Sequence, residues 1–186
     1  MRLVLPALLV LVAAPAAAQE PAWDLLIARG RVIDGTGAPA FVADIAIRGD
    51  RIVRVSRDPL PAASARRVIE AAGLAVAPGF IDLHAHLEPL LQMPDAESHV
   101  RQGVTTAVGG PDGTSPWPIG RYLDSAQALG LGLNLALMVG HNTIRRQVMG
   151  LADRAPTAAE QARMEAMVRQ AMAEGAFGVS TGRFYL

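Results

Sequence analysis

Two histidines spaced two residues apart, His84 and His86, close an apolar run that follows Ala77-Pro78-Gly79-Phe80. If Phe80 to His86 is a β-strand, residues i and i+2 share a face roughly 6 to 7 Å apart, and two imidazoles can converge on one cation. Ligation needs the neutral ring, so such a site weakens as pH falls below the histidine range. Asp82 shares that face two residues deeper. It reads as an acceptor for the ring hydrogen of a liganding histidine or as a buried structural acid. A bare His-x-His is a weak signal in a chain with four histidines, and its weight comes from its place at the end of an apolar strand. His99, inside a short helix, reads as structural. Arg145 and Arg146 read as substrate anchors or, as adjacent arginines on a loop, as solvated surface.

The elements that would position these residues come in two blocks. From Trp23 to Ala77 the signals are short and β-like. Trp23 to Ala28 is apolar, Asp44 to Arg48 alternates, and Gly49-Asp50 separates that strand from Arg51 to Val55 as a hairpin. A polar, Ala-rich loop from Arg57 to Arg67 leads to Val68-Ile69-Glu70 and a turn at Ala72-Gly73. The block is part of a small sheet domain. After Pro78-Gly79 strands and helices alternate: Phe80 to His86, a helix over 96–102, Thr105 to Val108, a helix over 119–129, and Leu133 to Val139. Thr157 with Glu160 forms a capping box, opening a helix whose Met164, Met167, Val168, Ala171 and Met172 share a core-facing stripe. Phe177 to Thr181 then opens a fourth strand. Three βα units and a fourth strand predict parallel β-structure with right-handed crossovers, an open doubly wound sheet or a (β/α)8 barrel. The doubly wound nucleotide fold lacks its Gly-x-Gly-x-x-Gly. A barrel needs about 250 residues, and fewer than half that number follow Pro78.

Composition narrows the chemistry. The 186 residues include no cysteine, which excludes a disulfide scaffold, a Cys zinc knuckle, an iron–sulfur cluster and a thiol nucleophile. All 17 basic residues are arginine, so Schiff-base chemistry, a P-loop lysine and a carboxylated-lysine metal bridge are excluded within these residues. Net charge is zero, which leaves no global electrostatic case for nucleic acid or an anionic membrane. The Gly-rich turns at 35–37 and 109–113 have no adjoining phosphate-binding motif. Residues 1–18 combine a basic start, an apolar run and a small-residue end at Ala18, the pattern of a cleaved secretory signal, so a periplasmic or secreted protein is expected. The expected organisation is a signal over 1–18, a partial β-sandwich domain over 19–78, and an incomplete (β/α)8 barrel, strands one to four, over 79–186.

Several motifs together resemble one family. They are Asp24 to Gly37, Ala77-Pro78-Gly79-Phe80-Ile81-Asp82-Leu83-His84-Ala85-His86, and Arg101-Gln102-Gly103-Val104-Thr105-Thr106. Ser115-Pro116-Trp117-Pro118, Val139-Gly140-His141, Arg145, and Gly175 to Gly182 with Tyr185 complete the set. The stretch from Asp24 to Leu186 resembles the amidohydrolase superfamily, in its D-aminoacylase branch of N-acyl-D-amino-acid deacylases. The resemblance implies an α/β fold, the N-terminal half of a metal-dependent (β/α)8 barrel preceded by part of a small β-sandwich. It implies one or two zinc ions that activate a water against the amide carbonyl of an N-acyl-D-amino acid. His84 and His86 match the first-strand metal ligands.

Where the family often carries a cysteine, within Gly-Asn-Cys-Gly, this chain has Gly110-Pro111-Asp112-Gly113. Asp112 then ligates through a harder oxygen, selects a different metal, or serves only the turn. By resemblance His141 lines the substrate pocket, against a reading as a loop histidine bonded to its neighbours, and the Tyr185 phenol reaches the substrate. Arg183-Phe184-Tyr185 offers neither the lysine nor the glutamate that bridges two metals in many relatives, which disfavours hydantoinase-like branches. The resemblance also implies two further histidines and a general acid/base aspartate beyond Leu186, so the C-terminal half of the barrel is needed as partner. The alternatives are a D-dipeptidase or cyclic-amide hydrolase of the same superfamily, or an inactive exported fragment.

Overall fold

The computed structural model describes residues 21–182, so the leader pattern and Tyr185 lie outside the described residues. The chain divides into two units, one ending at Pro78 and one beginning at Gly79. Among the described residues no helix is long and apolar enough to cross a membrane.

The first unit is a five-stranded sheet of β1 (Trp23–Val32), β2 (Phe41–Arg48), β3 (Arg51–Ser56), β4 (Ala65–Glu70) and β5 (Ala75–Val76). The order is β3-β2-β1-β4, with β5 also on β1. The hairpin at Gly49 forms where the alternating pattern puts it. The Ala-rich stretch predicted as loop instead makes a 3-10 turn (Ala62–Ser64) and enters β4 at Ala65, opposite Trp23. Parallel pairing with β1 supplies backbone partners that a thinly apolar sequence does not advertise. Leu26, Ala28 and Ala46 form one buried cluster with Trp23 and Val68 against it; Val32, Ala43 and Ile45 form another. The buried Asp44 carboxylate accepts N–H groups from Arg29 at 2.7 Å and Leu60 at 2.8 Å. This pins Arg29, in the left-handed region at φ +60, beside a register shift in the β1–β2 ladder.

The second unit runs β6 (Phe80–Asp82), α1 (Glu97–Val100), β7 (Val104–Gly109), α2 (Ile119–Leu129), β8 (Asn134–Gly140), α3 (His141–Met149), α4 (Ala158–Ala173) and β9 (Gly178–Ser180). Its four strands are all parallel in the order β6-β7-β8-β9, so each sequential crossover adds the next strand on the same side. Ile119, Leu137, Val139, Ile144, Met164 and Ala171 make its main core. Each large aliphatic side chain buried this way contributes about 1.5–3 kcal/mol before entropy is charged against it.

Three expectations change. The first strand of this unit ends at Asp82, leaving His84 and His86 beyond it. The arginine pair sits not on a loop but on α3, a helix with no side-chain cap and few apolar residues to announce it. On α4, Met164 and Ala171 are buried and Met167 and Val168 pack against the core, but Met172 is exposed, one residue and about 100° around from Ala171.

The capping box of α4 forms as its sequence indicates. Thr157 Oγ1 accepts the Glu160 N–H at 3.3 Å, and the Glu160 carboxylate accepts the Thr157 N–H at 2.8 Å. Arg154 adds a two-pronged pair to the same carboxylate, both bonds at 2.7 Å. The Arg154 guanidinium first, and the Thr157 groups next, hold the Glu160 carboxyl at about 2 against an ordinary 4.5. The folded value lies below the unfolded one, so this stabilisation is fully present above about pH 4.5 and is lost as pH falls towards 2. The Tm gap between wild type and Glu160→Gln should be open at neutral pH and close near pH 2; a gap constant across that window would contradict the linkage.

Candidate metal centre

Every described candidate except His99 and Arg145–Arg146 sits at or just beyond the C-terminal end of a parallel strand: His84 and His86 after β6, Asp112 after β7, His141 after β8. In parallel barrels and sheets that end is where loops assemble reacting groups. Asp82 does neither thing expected of it. It is partly exposed, and its Oδ1 accepts the backbone N–H of His84 at 3.0 Å, a local turn that ends the strand. Pairing with β7 resumes one residue later, where the Ala85 N–H donates to Val108 O at 3.0 Å. Buried Ala85 and Leu87 alternate with exposed His84 and His86, so both imidazoles leave on one side with ring centroids 5.6 Å apart.

Asp112 reaches the same point from the next loop. The Thr114 N–H donates to Pro111 O at 3.2 Å, closing a turn whose central residues, Asp112 at φ +55 and Gly113 at φ +81, both sit in the left-handed region, the type I′ pattern that Asp-Gly favours. The turn directs Asp112 Oδ2 to 3.1 Å from His84 Nε2 and 3.4 Å from His86 Nε2. On the far side of the second ring, Glu88 Oε1 lies 3.5 Å from His86 Nδ1. A tetrahedral zinc with bonds near 2.1 Å sets neighbouring ligand atoms about 3.4 Å apart; the His86–Asp112 separation of 3.4 Å matches that spacing and the His84–Asp112 separation of 3.1 Å is slightly shorter. Ligand atoms of all three residues lie within 4.8 Å of one another. The donor set of two neutral nitrogens and one carboxylate suits zinc, and it leaves room for other ligands. Of the three readings of Asp112, a residue serving only its turn is the one this convergence speaks against.

Sequence reasoning missed the lacing that holds the Asp112 loop. The Gly113 carbonyl accepts the Asn142 and Thr143 N–H groups at 2.9 and 3.2 Å, so the loop caps α3 in place of a side chain. The Thr143 hydroxyl accepts the Ser115 N–H at 3.0 Å and donates to Ser115 O at 3.1 Å. Ser115 Oγ accepts the Gly140 N–H at 2.9 Å, and buried Ser180 reaches the loop from β9. Ser115, Gly140 and Ser180 fall within the resembling motifs, but nothing local in the sequence shows that they lace this loop together. The signal available was the Gly-Pro-Asp-Gly turn itself.

The other candidates separate. His141 is the exposed first residue of α3 rather than a loop residue, and it lies outside the three-residue donor cluster. Arg145 is structural: its guanidinium donates to the Ala152 and Arg154 carbonyls, both at 2.8 Å, and ties down the chain after α3. Arg146 is exposed beside a cavity of about 360 Å³. His99 is within hydrogen-bonding distance of its neighbour Ser98, at 3.3 Å. A second cavity, about 240 Å³, runs along the Asp112 loop between Leu87, Glu88, Gly110, Ser115 and Tyr122.

Comparison with known proteins fits this layout. The amidohydrolase family model matches residues 67–185, which include the whole donor cluster. The chain belongs to the amidohydrolase family. A D-aminoacylase of Alcaligenes xylosoxydans xylosoxydans is 40% identical over 187 residues, covering 88% of this chain and 38% of the relative. A D-aminoacylase structure concerned with a binuclear metal center, one-metal activation and second-metal attenuation superposes with TM-score 0.81 at 41% identity, over 88% of this chain and 39% of the other. A Bordetella bronchiseptica N-acyl-D-glutamate deacylase complexed with zinc and a phosphonate inhibitor gives 0.79 at 37%, over 86% and 38%. This amidohydrolase chain therefore falls in the D-aminoacylase branch, and its α/β fold is the one the motifs implied. It spans about 38% of the length of the D-aminoacylase it matches.

Proposed function

We propose that the protein is a metal-dependent hydrolase of the amide bond in N-acyl-D-amino acids, with His84, His86 and Asp112 holding a zinc-type cation. The observation that carries this reading is the convergence of two imidazole nitrogens on one carboxylate oxygen, at the strand ends of a parallel sheet. The relatives supply the substrate class, being a D-aminoacylase and an N-acyl-D-glutamate deacylase. When bound, such a cation supplies Lewis-acid polarisation of the amide carbonyl and lowers the pKa of a water.

The chain's own residues then have separate tasks. His84 and His86 offer neutral donors, Asp112 offsets positive charge, and Glu88 stands beside the His86 ring. His141, at the same end of the sheet, faces substrate, and the family resemblance gives the Tyr185 phenol a substrate contact as well. The leader pattern of residues 1–18 supports action after export.

A substrate panel on the intact protein tests this reading. Chelator-treated protein should be inactive and regain turnover with zinc. Its kcat/KM should favour N-acyl-D-amino acids over their L-enantiomers, D-dipeptides and hydantoins by about 100-fold, a difference of nearly 3 kcal/mol in transition-state binding. Preference for a D-dipeptide or a cyclic amide would replace the substrate assignment, and turnover indifferent to chelation would overturn the metal-dependent reading altogether.

A further inference from the structure

We propose that Ser180 is a positioning residue that sets the place of the Asp112 carboxylate by clasping the backbone on both sides of it, at Gly110 and Gly113. This rests on Asp112 being a metal ligand.

In a closed four-residue turn the first carbonyl accepts the fourth N–H directly. Here the closed turn is Pro111 to Thr114, and the flanking Gly110 carbonyl and the Gly113 N–H are both served by one buried hydroxyl. Ser180 Oγ donates to Gly110 O at 2.6 Å and accepts the Gly113 N–H at 3.1 Å. A hydroxyl carries one donor and two acceptor sites, so it can bridge a carbonyl and an amide simultaneously, which alanine cannot do. The bridge fixes the backbone on both sides of Asp112.

The clasp is also long-range. Ser180 belongs to β9 and the turn follows β7, and these strands are separated in the sheet by β8. The hydroxyl therefore reaches the turn past the end of β8, at Gly140, where the turn's backbone lies against the strand end. On the same side, the Asn142 side chain donates to Gly182 O at 2.9 Å, holding the end of β9 to α3, whose first N–H groups are capped by Gly113. The Asp112 position is thus referenced to two elements beyond its own strand. Without the hydroxyl, Gly110 O and Gly113 N–H lose their shared partner and the loop must shift to pair them elsewhere, because buried backbone groups do not stay unpaired. That shift moves the backbone on both sides of Asp112, and the carboxylate with it, away from the spacing to His84 and His86.

Cobalt binding to the intact protein tests this, read by its visible absorption and by competition with a chelator. The proteins compared are wild type, Ser180→Ala, Asp112→Ala and the double variant. Ser180→Ala should weaken Co(II) about tenfold, the scale of losing a residue that orients a ligand, with an altered absorption band. In the Asp112→Ala background the same substitution should change affinity less than about twofold, since no carboxylate remains to be placed. An unchanged affinity in Ser180→Ala, or an equal loss in both backgrounds, would overturn the positioning role. If Asp112→Ala itself binds cobalt like wild type, Asp112 is no ligand, and the proposal falls with that reading rather than on its own account.

Discussion

Replacing both His84 and His86 with alanine should lower the zinc affinity of the intact protein more than about 100-fold, beyond the range typical of losing an outer-shell partner. Turnover should vanish with the metal. The size of the effect follows from the donor set: two of the three side chains that converge in the second unit are these imidazoles. The remaining carboxylate alone offers one oxygen, which binds a borderline-soft cation weakly. The same change should leave the fold nearly untouched. Both side chains are about 60% exposed, and substitutions at such positions usually fall within about 0.5 kcal/mol. Metal content after dialysis, set beside denaturant unfolding of the metal-free proteins, separates the two effects. A variant that keeps stoichiometric zinc would show that the cation is held elsewhere.

The second large effect is expected at Gly140, where β8 passes directly into α3. Its backbone, at φ −82 and ψ 125, suits any residue, so alanine carries no conformational penalty there and would gain from a stiffer unfolded chain. Space forbids it. A Cβ would press on Gly113 O and C and stand 2.6 Å from Thr114 N, all backbone atoms that no rotamer change can clear. Gly140→Ala should destabilise the second unit by about 3 kcal/mol and weaken metal binding, since the part that must yield is the loop bearing Asp112. Gly130→Ala is the contrast. That residue has φ +71 but open space around it, so it should cost about 1 kcal/mol and leave the metal site alone. Equal destabilisation in both, with metal affinity intact in both, would contradict the close packing of the loop on the strand end.

What the sequence disclosed, and what it hid, divides along physical lines. Periodicity and caps are local, and they placed α2 over Ile119–Leu129 and the capping box at Thr157 and Glu160. The Pro78-Gly79 change of rhythm coincides with the break between the two units. The His-x-His pair was legible because a two-residue spacing survives the loss of strand geometry beyond Asp82. Asp112 stood out only against a family habit, and nothing local in Gly-Pro-Asp-Gly announced that its carboxylate would meet both rings. That outcome depends on contacts 28 to 70 residues distant, through Thr143 and Ser180, and pairings at such range leave no periodic trace. The same reasoning explains the missed α3. Its start is capped by a carbonyl from the preceding βα loop rather than by a side chain next to it. Likewise Arg145, one of two adjacent arginines, proved to be a strut between α3 and the chain after it.

In the proposed centre one cation is held jointly by His84, His86 and Asp112. X-ray absorption at the zinc edge of the loaded intact protein reads that coordination directly. It should show nitrogen and oxygen donors at about 2.0–2.2 Å, with outer-shell imidazole scattering that diminishes in the His84→Ala, His86→Ala protein and persists in Asp112→Ala. A spectrum that is the same in wild type and in the double histidine variant would contradict it.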